Sequence, residues 1–236
     1  MGALDDTEEL AFNGAVPTGV CDAVVSKKFD RLGSDGRAAR LGIMGGTFDP
    51  VHTGHLACAE AAYSEFNLDA VVFMVAANPS LKQKQALTDM TDRLNMCKLA
   101  VAHNSHFDVS AMEMRRGGIT YTSDTLRQLR EHYPSNVELC FILGSDSLTT
   151  LPEWHEAGVV AELARIICVS RHGFEDEELV ERAREAGFTI DILQAPLLDI
   201  SSSEIRRRVV LGKSIRYLVP LSVCDYIRSH ELYTKS

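Results

Sequence analysis

From Leu41 onward, short apolar runs alternate with longer stretches that mix apolar and polar residues at helical spacing. The runs are Leu41–Gly45, Ala70–Ala77, Phe107–Ser110, Val137–Leu143, Arg165–Ser170 and Thr189–Leu193. All have strand length, and their near-continuous hydrophobicity suits strands covered on both faces. Between them, Gly54–Phe66 is alanine-rich, and Thr88–His103 sets Leu94, Cys97 and Val101 at helical spacing. Thr122–His132 turns Leu126 and Leu129 inward and Arg127 and Arg130 outward, and Glu175–Ala186 is a charged amphipathic helix. Strand alternating with helix predicts an α/β chain of βαβ units, with a parallel sheet and right-handed crossovers. Ser202–Leu211 and Pro220–His230 predict a C-terminal helical segment.

The first 40 residues break this pattern. Residues 1–26 carry Asp5, Asp6, Glu8, Glu9 and Asp22 but no Lys or Arg, and Gly, Pro and Asp continue to about Arg40. A stretch without sustained periodicity is expected to be a mobile extension outside the core. The expected division is an extension over 1–40 and one domain over 41–236. Removing the extension is expected to leave activity and thermal midpoint unchanged.

Charge narrows the partners. Lys and Arg number 24 against 33 Asp and Glu, a net charge of −9. That balance disfavours a uniform basic surface for nucleic acid, or attachment to anionic lipid. A small anionic substrate in one local basic pocket remains open. The six cysteines are scattered with no C-x-x-C pair, so reduced thiols and a cytoplasmic location are expected. No apolar run approaches the roughly 20 residues of a membrane span, and the first residues lack the basic-then-apolar order of a secretion signal.

The chemistry concentrates where the first strand ends, in Gly45-Gly46-Thr47-Phe48-Asp49-Pro50-Val51-His52-Thr53-Gly54-His55-Leu56. A Gly pair at a strand's carboxyl end lets backbone N–H groups approach a phosphate. The helix that follows offers its unsatisfied N–H groups and positive dipole end to an anion. Two histidines three residues apart can both donate ring N–H bonds to phosphate oxygens. Alone, each fragment has ordinary structural explanations, and H-x-x-H could equally be a metal pair; the fused string is far more specific.

That string resembles the signature of the nucleotidyltransferase α/β phosphodiesterase superfamily, whose H-x-G-H motif is His52-Thr53-Gly54-His55 here. It is most similar to that of bacterial nicotinate-mononucleotide adenylyltransferases. The resemblance covers about residues 41–234 and implies a Rossmann-like, doubly wound parallel sheet with helices on both faces. Further motifs follow in the family's order. Gly118 to Leu126 resembles S-Y-T-x-D-T-L; there Thr122 is a natural N-cap, leaving N–H groups that favour a carboxylate over an amide. Gly144-Ser145-Asp146 is followed by the only tryptophan, Trp154. In the family the acid contacts the mononucleotide and the tryptophan stacks on its pyridine ring, an arrangement that suits an electron-poor ring.

Ile200 to Arg206 resembles I-S-S-T-x-I-R, with Ser201 and Glu204 at capping-box spacing and Arg206 able to hold phosphate bidentately. Arg216 to Tyr233 resembles the family's terminal R-Y-L-V-P…L-Y pattern, expected to be packing. One departure stands out. Where the family commonly has Pro-His-Lys, this chain reads Asn78-Pro79-Ser80-Leu81-Lys82-Gln83-Lys84. Lys82 is the expected contact to the mononucleotide phosphate, or Lys84 in its place.

The resemblance implies transfer of the AMP part of ATP to nicotinate mononucleotide, giving nicotinate adenine dinucleotide and pyrophosphate in NAD biosynthesis. His52, His55 and Arg206 are the expected catalytic groups. Gly45, Gly46, Thr47, Phe48, Ser202 and Ser203 join them in holding ATP, and Lys82, Tyr121, Thr122, Asp146 and Trp154 bind the mononucleotide. Mg²⁺ is expected on the ATP phosphates, without a dedicated carboxylate cage, and a homo-oligomer is possible. A sister transferase acting on phosphopantetheine or an alcohol phosphate would share the histidines but not the Tyr121-Thr122 and Trp154 elements. An enzyme preferring the amide mononucleotide and a catalytically silent nucleotide-binding module also fit the histidine string. A zinc hydrolase fits it less well, because no third zinc ligand lies near the histidines.

Overall fold

The computed structural model describes residues 25–78, 87–170, 177–195 and 198–234. Its strands are β1 (Ala39–Gly46), β2 (Ala70–Val75), β3 (Phe107–Ser110), β4 (Val137–Gly144), β5 (Arg165–Ser170) and β6 (Ile190–Gln194). They form one parallel sheet in the order β3-β2-β1-β4-β5-β6. From β1 the chain winds outward through α1 (Thr53–Glu65) and α2 (Met90–Val101) to β3. It returns through α3 (Met112–Arg116) and α4 (Thr122–His132) to the opposite side of β1, then proceeds through α5 (Ala157–Leu163) and α6 (Glu177–Glu185) to β6. Helices α7 (Ser202–Val210) and α8 (Leu221–Ser229) close the chain. The doubly wound α/β expectation is met.

The inner strands are buried on both faces, which is why the sequence shows runs there instead of alternation. In β2, Val71, Phe73 and Val75 face one core with α1, α2, α7 and α8, while Ala70, Val72 and Met74 face the other with α3 to α6. Leu94, Cys97 and Val101 of α2 and Leu126 and Leu129 of α4 are buried as their spacing predicts. The short helices α3 and α5 leave no mark in the sequence because five and seven residues hold too few turns for a period to show. Strand β2 stops at Val75, short of Ala77, because the next two carbonyls turn to a side chain described below. The described cysteines are free thiols, Cys21 lying outside the described residues. Among the described residues no helix is long and apolar enough to cross a membrane.

The expected extension over 1–40 needs correction from residue 25 on. Strand β1 begins at Ala39, whose N–H donates to Asn136. Val25 is 1% exposed within the second core. Ser26 Oγ donates to Asp108 Oδ2 at 2.5 Å, Lys28 Nζ to the Phe107 carbonyl at 2.8 Å, and Tyr133 Oη to the Phe29 carbonyl at 3.1 Å. These contacts join single residues to distant partners, so no local period announces them. They lie by the amino ends of β3 and β4, whereas open α/β sheets bind ligands at the carboxyl ends. Deleting residues 1–36 is therefore expected to lower unfolding stability by about 2–4 kcal/mol, for one buried Val and several hydrogen bonds. Urea unfolding checks this, and kcat at low temperature should stay within about twofold.

Candidate active site

Strands β2 and β4 leave β1 in opposite directions, and such a reversal of strand order opens a crevice at the carboxyl ends. Two cavities meet there. One, of about 810 Å³, is lined by His52, His55, Asp49, Ser202, Ser203 and Arg206 among others. The second, of about 770 Å³, is lined by Tyr121, Thr122, Trp154, Phe141, Glu113 and His155 among others. Gly45, Thr47, Leu143, Gly144 and Asp146 line both and form their common wall. Each has the size of a small-molecule site.

The histidines cap the helix that carries them. His52 is the N-cap of α1, and its Nδ1 accepts from the His55 N–H at 3.3 Å. The His52 N–H donates to His55 Nδ1 at 3.2 Å, and the rings stack with centroids 3.6 Å apart. Because both Nδ1 atoms accept, each neutral ring carries its proton on Nε2, the edge opposite the backbone. Gly54 between them sits close to the stack: a Cβ there would lie 3.1 Å from His52 Nδ1, so the ring would have to give by a few tenths of an ångström. Thr53 completes the turn by donating its N–H and hydroxyl to the Leu218 carbonyl, which gives the terminal R-Y-L-V-P motif a role beyond packing. Burial holds the His52 imidazole well below its ordinary range, at about 4.

The glycine turn also serves packing. A Cβ on Gly45 would lie 2.9 Å from the Phe141 ring, and one on Gly46 2.9 Å from the Phe48 ring. Phe48, expected among the ATP-binding residues, is 2% exposed and lines neither cavity. Its ring packs edge-on against His55, centroids 5.0 Å apart, and is tilted against Phe73. It supports a histidine from below, because the aromatic side chain follows the core and not the loop.

Helix α7 faces the histidines across the first cavity. Ser201 is its N-cap and accepts from the Glu204 N–H, but Glu204 turns outward to Arg207, so only half of the expected capping box forms. Ser202 Oγ donates to the Pro50 carbonyl at 2.9 Å. Arg206 donates to the Asp49 carbonyl at 2.6 Å and to Ser203 Oγ at 3.2 Å. The bonds to Pro50 and Asp49 tie α7 to the histidine loop, the one to Ser203 stays within the helix, and guanidinium N–H groups remain beyond the two used.

In the second cavity the cap differs from the expected one. Tyr121, not Thr122, is the N-cap of α4, with extended backbone and no side-chain cap bond. Tyr121 holds that place because its backbone has not yet turned helical, whereas Thr122 is already the first helical residue. The uncapped first turn presents N–H donors and the positive dipole end, as an anion site requires. The Tyr121 ring packs on His155, and Trp154 stands edge-on to Phe141 with its Nε1 donating to Thr150 Oγ1 at 3.4 Å. Asp146 is exposed in the shared wall, just after β4. Lys82 and Lys84 lie outside the described residues.

Residues missed from the sequence hold this assembly. Arg93 of α2 is 2% exposed and donates to the carbonyls of Thr88, Thr47, Ala76 and Ala77 at 2.7–3.2 Å. It precedes Cys97 and Val101 by four and eight residues, so its place on an apolar stripe was the available signal. Asp49, 3% exposed, accepts from Tyr233 Oη at 2.7 Å and from the Thr88 N–H at 3.2 Å. Tyr233, expected only to pack, thus reaches the site loop. Among the described residues no three His, Cys, Asp or Glu are grouped to hold a metal.

The architecture is that of a nucleotidyltransferase, and residues 43–208 match the model of the Cytidylyltransferase-like family, to which the chain belongs. Its place within that family is among the nicotinate-nucleotide adenylyltransferases. A Dehalococcoides mccartyi protein named "Probable nicotinate-nucleotide adenylyltransferase" is 40% identical over 199 residues, covering 83% of this chain and 98% of the relative. Proteins of the same name from Thermomicrobium roseum and Desulfitobacterium hafniense are 44% and 45% identical, over 83% and 82% of this chain and 92% and 95% of theirs. Among solved structures, Plasmodium falciparum nicotinic acid mononucleotide adenylyltransferase complexed with NaAD has the same fold, with a TM-score of 0.67 at 22% identity over 83% of this chain and 97% of that one.

The buried His52 carries a pH signature. Its native ring takes a proton only near pH 4, whereas the unfolded chain does so near 6.5. The stability of the neutral native form is fully present above pH 6.5 and falls by about 3 kcal/mol as pH drops to 4. His52→Asn, which keeps a capping acceptor but cannot titrate, should flatten that slope in urea unfolding between pH 4 and 7.5.

Proposed function

We propose that the chain joins the AMP part of ATP to nicotinate mononucleotide, releasing pyrophosphate and forming nicotinate adenine dinucleotide. The observation that carries this reading is the pair of cavities meeting at one wall, with phosphate donors in the first and an uncapped helix start beside a tryptophan in the second. Transfer between two nucleotides needs that adjacency.

The mononucleotide phosphate is largely dianionic at pH 7, its second pKa being about 6. It is a nucleophile without a general base, so the protein's work is alignment and charge stabilisation. His52 and His55 donate from Nε2 to the ATP phosphates, and Arg206, Ser202 and Ser203 donate from across the cavity. As the bond from the α-phosphorus to the leaving oxygen breaks, negative charge grows on pyrophosphate, where such fixed donors act most strongly. A neutral His52 suits this role: it is a donor that needs no proton exchange with solvent. Mg²⁺ would be held by the ATP phosphates and water and, when bound, would neutralise part of that charge. The pyridine ring is assigned to Trp154 and its substituent to the start of α4 at Tyr121 and Thr122, with Asp146 on the mononucleotide and Lys82, or Lys84 in its place, at its phosphate.

A pyrophosphate-release assay with ATP-Mg²⁺ and each candidate acceptor in parallel tests the reading. His55→Ala should lower kcat by about 10²-fold or more, the scale of losing one positioned donor; near-normal turnover would remove the assignment.

Preference for the acid over the amide mononucleotide should be at least about tenfold in kcat/KM. The helix start favours an anion, and a carboxamide NH₂ would face its donors unpaired. Trp154→Ala should weaken both substrates without reversing the order, whereas equal kcat/KM for acid and amide contradicts the placement at α4.

A further inference from the structure

Glu113 of α3 lines the second cavity and is 5% exposed. Its Oε1 accepts a 2.6 Å bond from Thr125 Oγ1, in the first turn and a half of α4. Its Oε2 is buried without a hydrogen-bond partner among the described residues. The charge that reaches it is Arg116, whose guanidinium is spent on Thr125 Oγ1 at 3.2 Å and Gln128 Oε1 at 2.8 Å, not on the carboxyl itself. From β2 and the chain just after it the cavity receives only apolar Met74 and Ala76, and elsewhere its wall carries Asp146, Glu153 and His155. A carboxylate with one orphaned buried oxygen and no direct cation is costly, and a neutral acid is far less so. Burial accordingly pushes Glu113 up to about 7.

We infer that Glu113 is a specificity-determining residue whose protonation sets whether the start of α4 accepts an anionic or a neutral ring substituent. The inference rests on the placement of that substituent at Tyr121 and Thr122. A helix start attracts an anion through its N–H groups and dipole, and an ionised carboxyl buried against the same first turns opposes it. With Glu113 neutral the opposition is gone and the acid mononucleotide is favoured. By linkage, a bound anion makes Glu113 hold its proton more tightly, so binding near pH 7 takes up protons from solution. A carboxamide exerts no such pull. Glu113 acts through the helix it is bonded to and takes no part in the chemistry.

The test compares kcat/KM for nicotinate and nicotinamide mononucleotide between pH 6 and 8.5. Their ratio cancels the titrations the two reactions share, including the substrate phosphate. The acid-to-amide ratio should fall about tenfold across this range, the effect of one pKa unit of coupling. Glu113→Gln keeps an acceptor for Thr125 but cannot ionise, so its ratio should stay high and level with pH. Calorimetry near pH 7 in two buffers of different ionisation heat should show more proton uptake with the acid mononucleotide than with the amide. A level ratio in the wild-type enzyme overturns the inference, as does a ratio that still falls in Glu113→Gln. Should that variant not fold, the wild-type ratio and the calorimetry decide. Absence of turnover with either mononucleotide overturns the proposed function and this inference together, whereas turnover with a level ratio overturns the inference alone.

Discussion

A single guanidinium, almost wholly out of water, holds the end of β2 to the turn that follows β1. Arg93 binds the carbonyls of Ala76 and Ala77 beyond β2, of Thr47 in the glycine turn, and of Thr88 before its own helix. A buried cation survives only when its donors are filled and charge lies near. Asp49 provides that charge, and Asp49 is itself fixed by Tyr233 and Thr88. Both cavities share Thr47 in their common wall, so the geometry of the site depends on this clamp.

Around it, the donors that the site presents are largely neutral. The stacked histidines cap α1 reciprocally, which points their Nε2 edges outward, and burial keeps His52 uncharged at neutral pH. The α4 start offers backbone donors with no side-chain cap to compete. Arg206 is the one formal cation in the described wall of the first cavity; one of its donors already secures the loop opposite and another turns to Ser203 of its own helix. Neutral fixed donors discriminate by geometry and cost little when the site is empty. That is consistent with a chain of net charge −9 built to handle phosphates.

The alternation of apolar runs with helical stretches is enough to give the α/β class, the β3 and β5 limits and the principal helices, because burial on both faces and helical period are local properties. The H-x-G-H string, the Tyr121-Thr122 pair and the serines before Arg206 are legible for the same reason: each is a short segment at the end of a strand or start of a helix. What the sequence could not show is partnership across the fold. The ring of Phe48, a residue that reads as a ligand contact, is a support beneath His55; residues 25–40 read as an extension and fasten onto β3 and α4; Arg93 shows only as a cation on an apolar stripe, and Glu113 and Tyr233 carry no local signal of their roles.

The sequence by itself therefore determined the strands and principal helices, the parallel winding and the positions of the glycine turn and the helix starts around the site, since these follow from spacing, capping and steric freedom within a few residues. Tertiary structure alone decided which groups are buried, which donors are already spent, and which cap α4 receives. Those depend on neighbours up to 184 residues apart, as Tyr233 is from Asp49, and burial is what converts such neighbours into shifted protonation and fixed geometry.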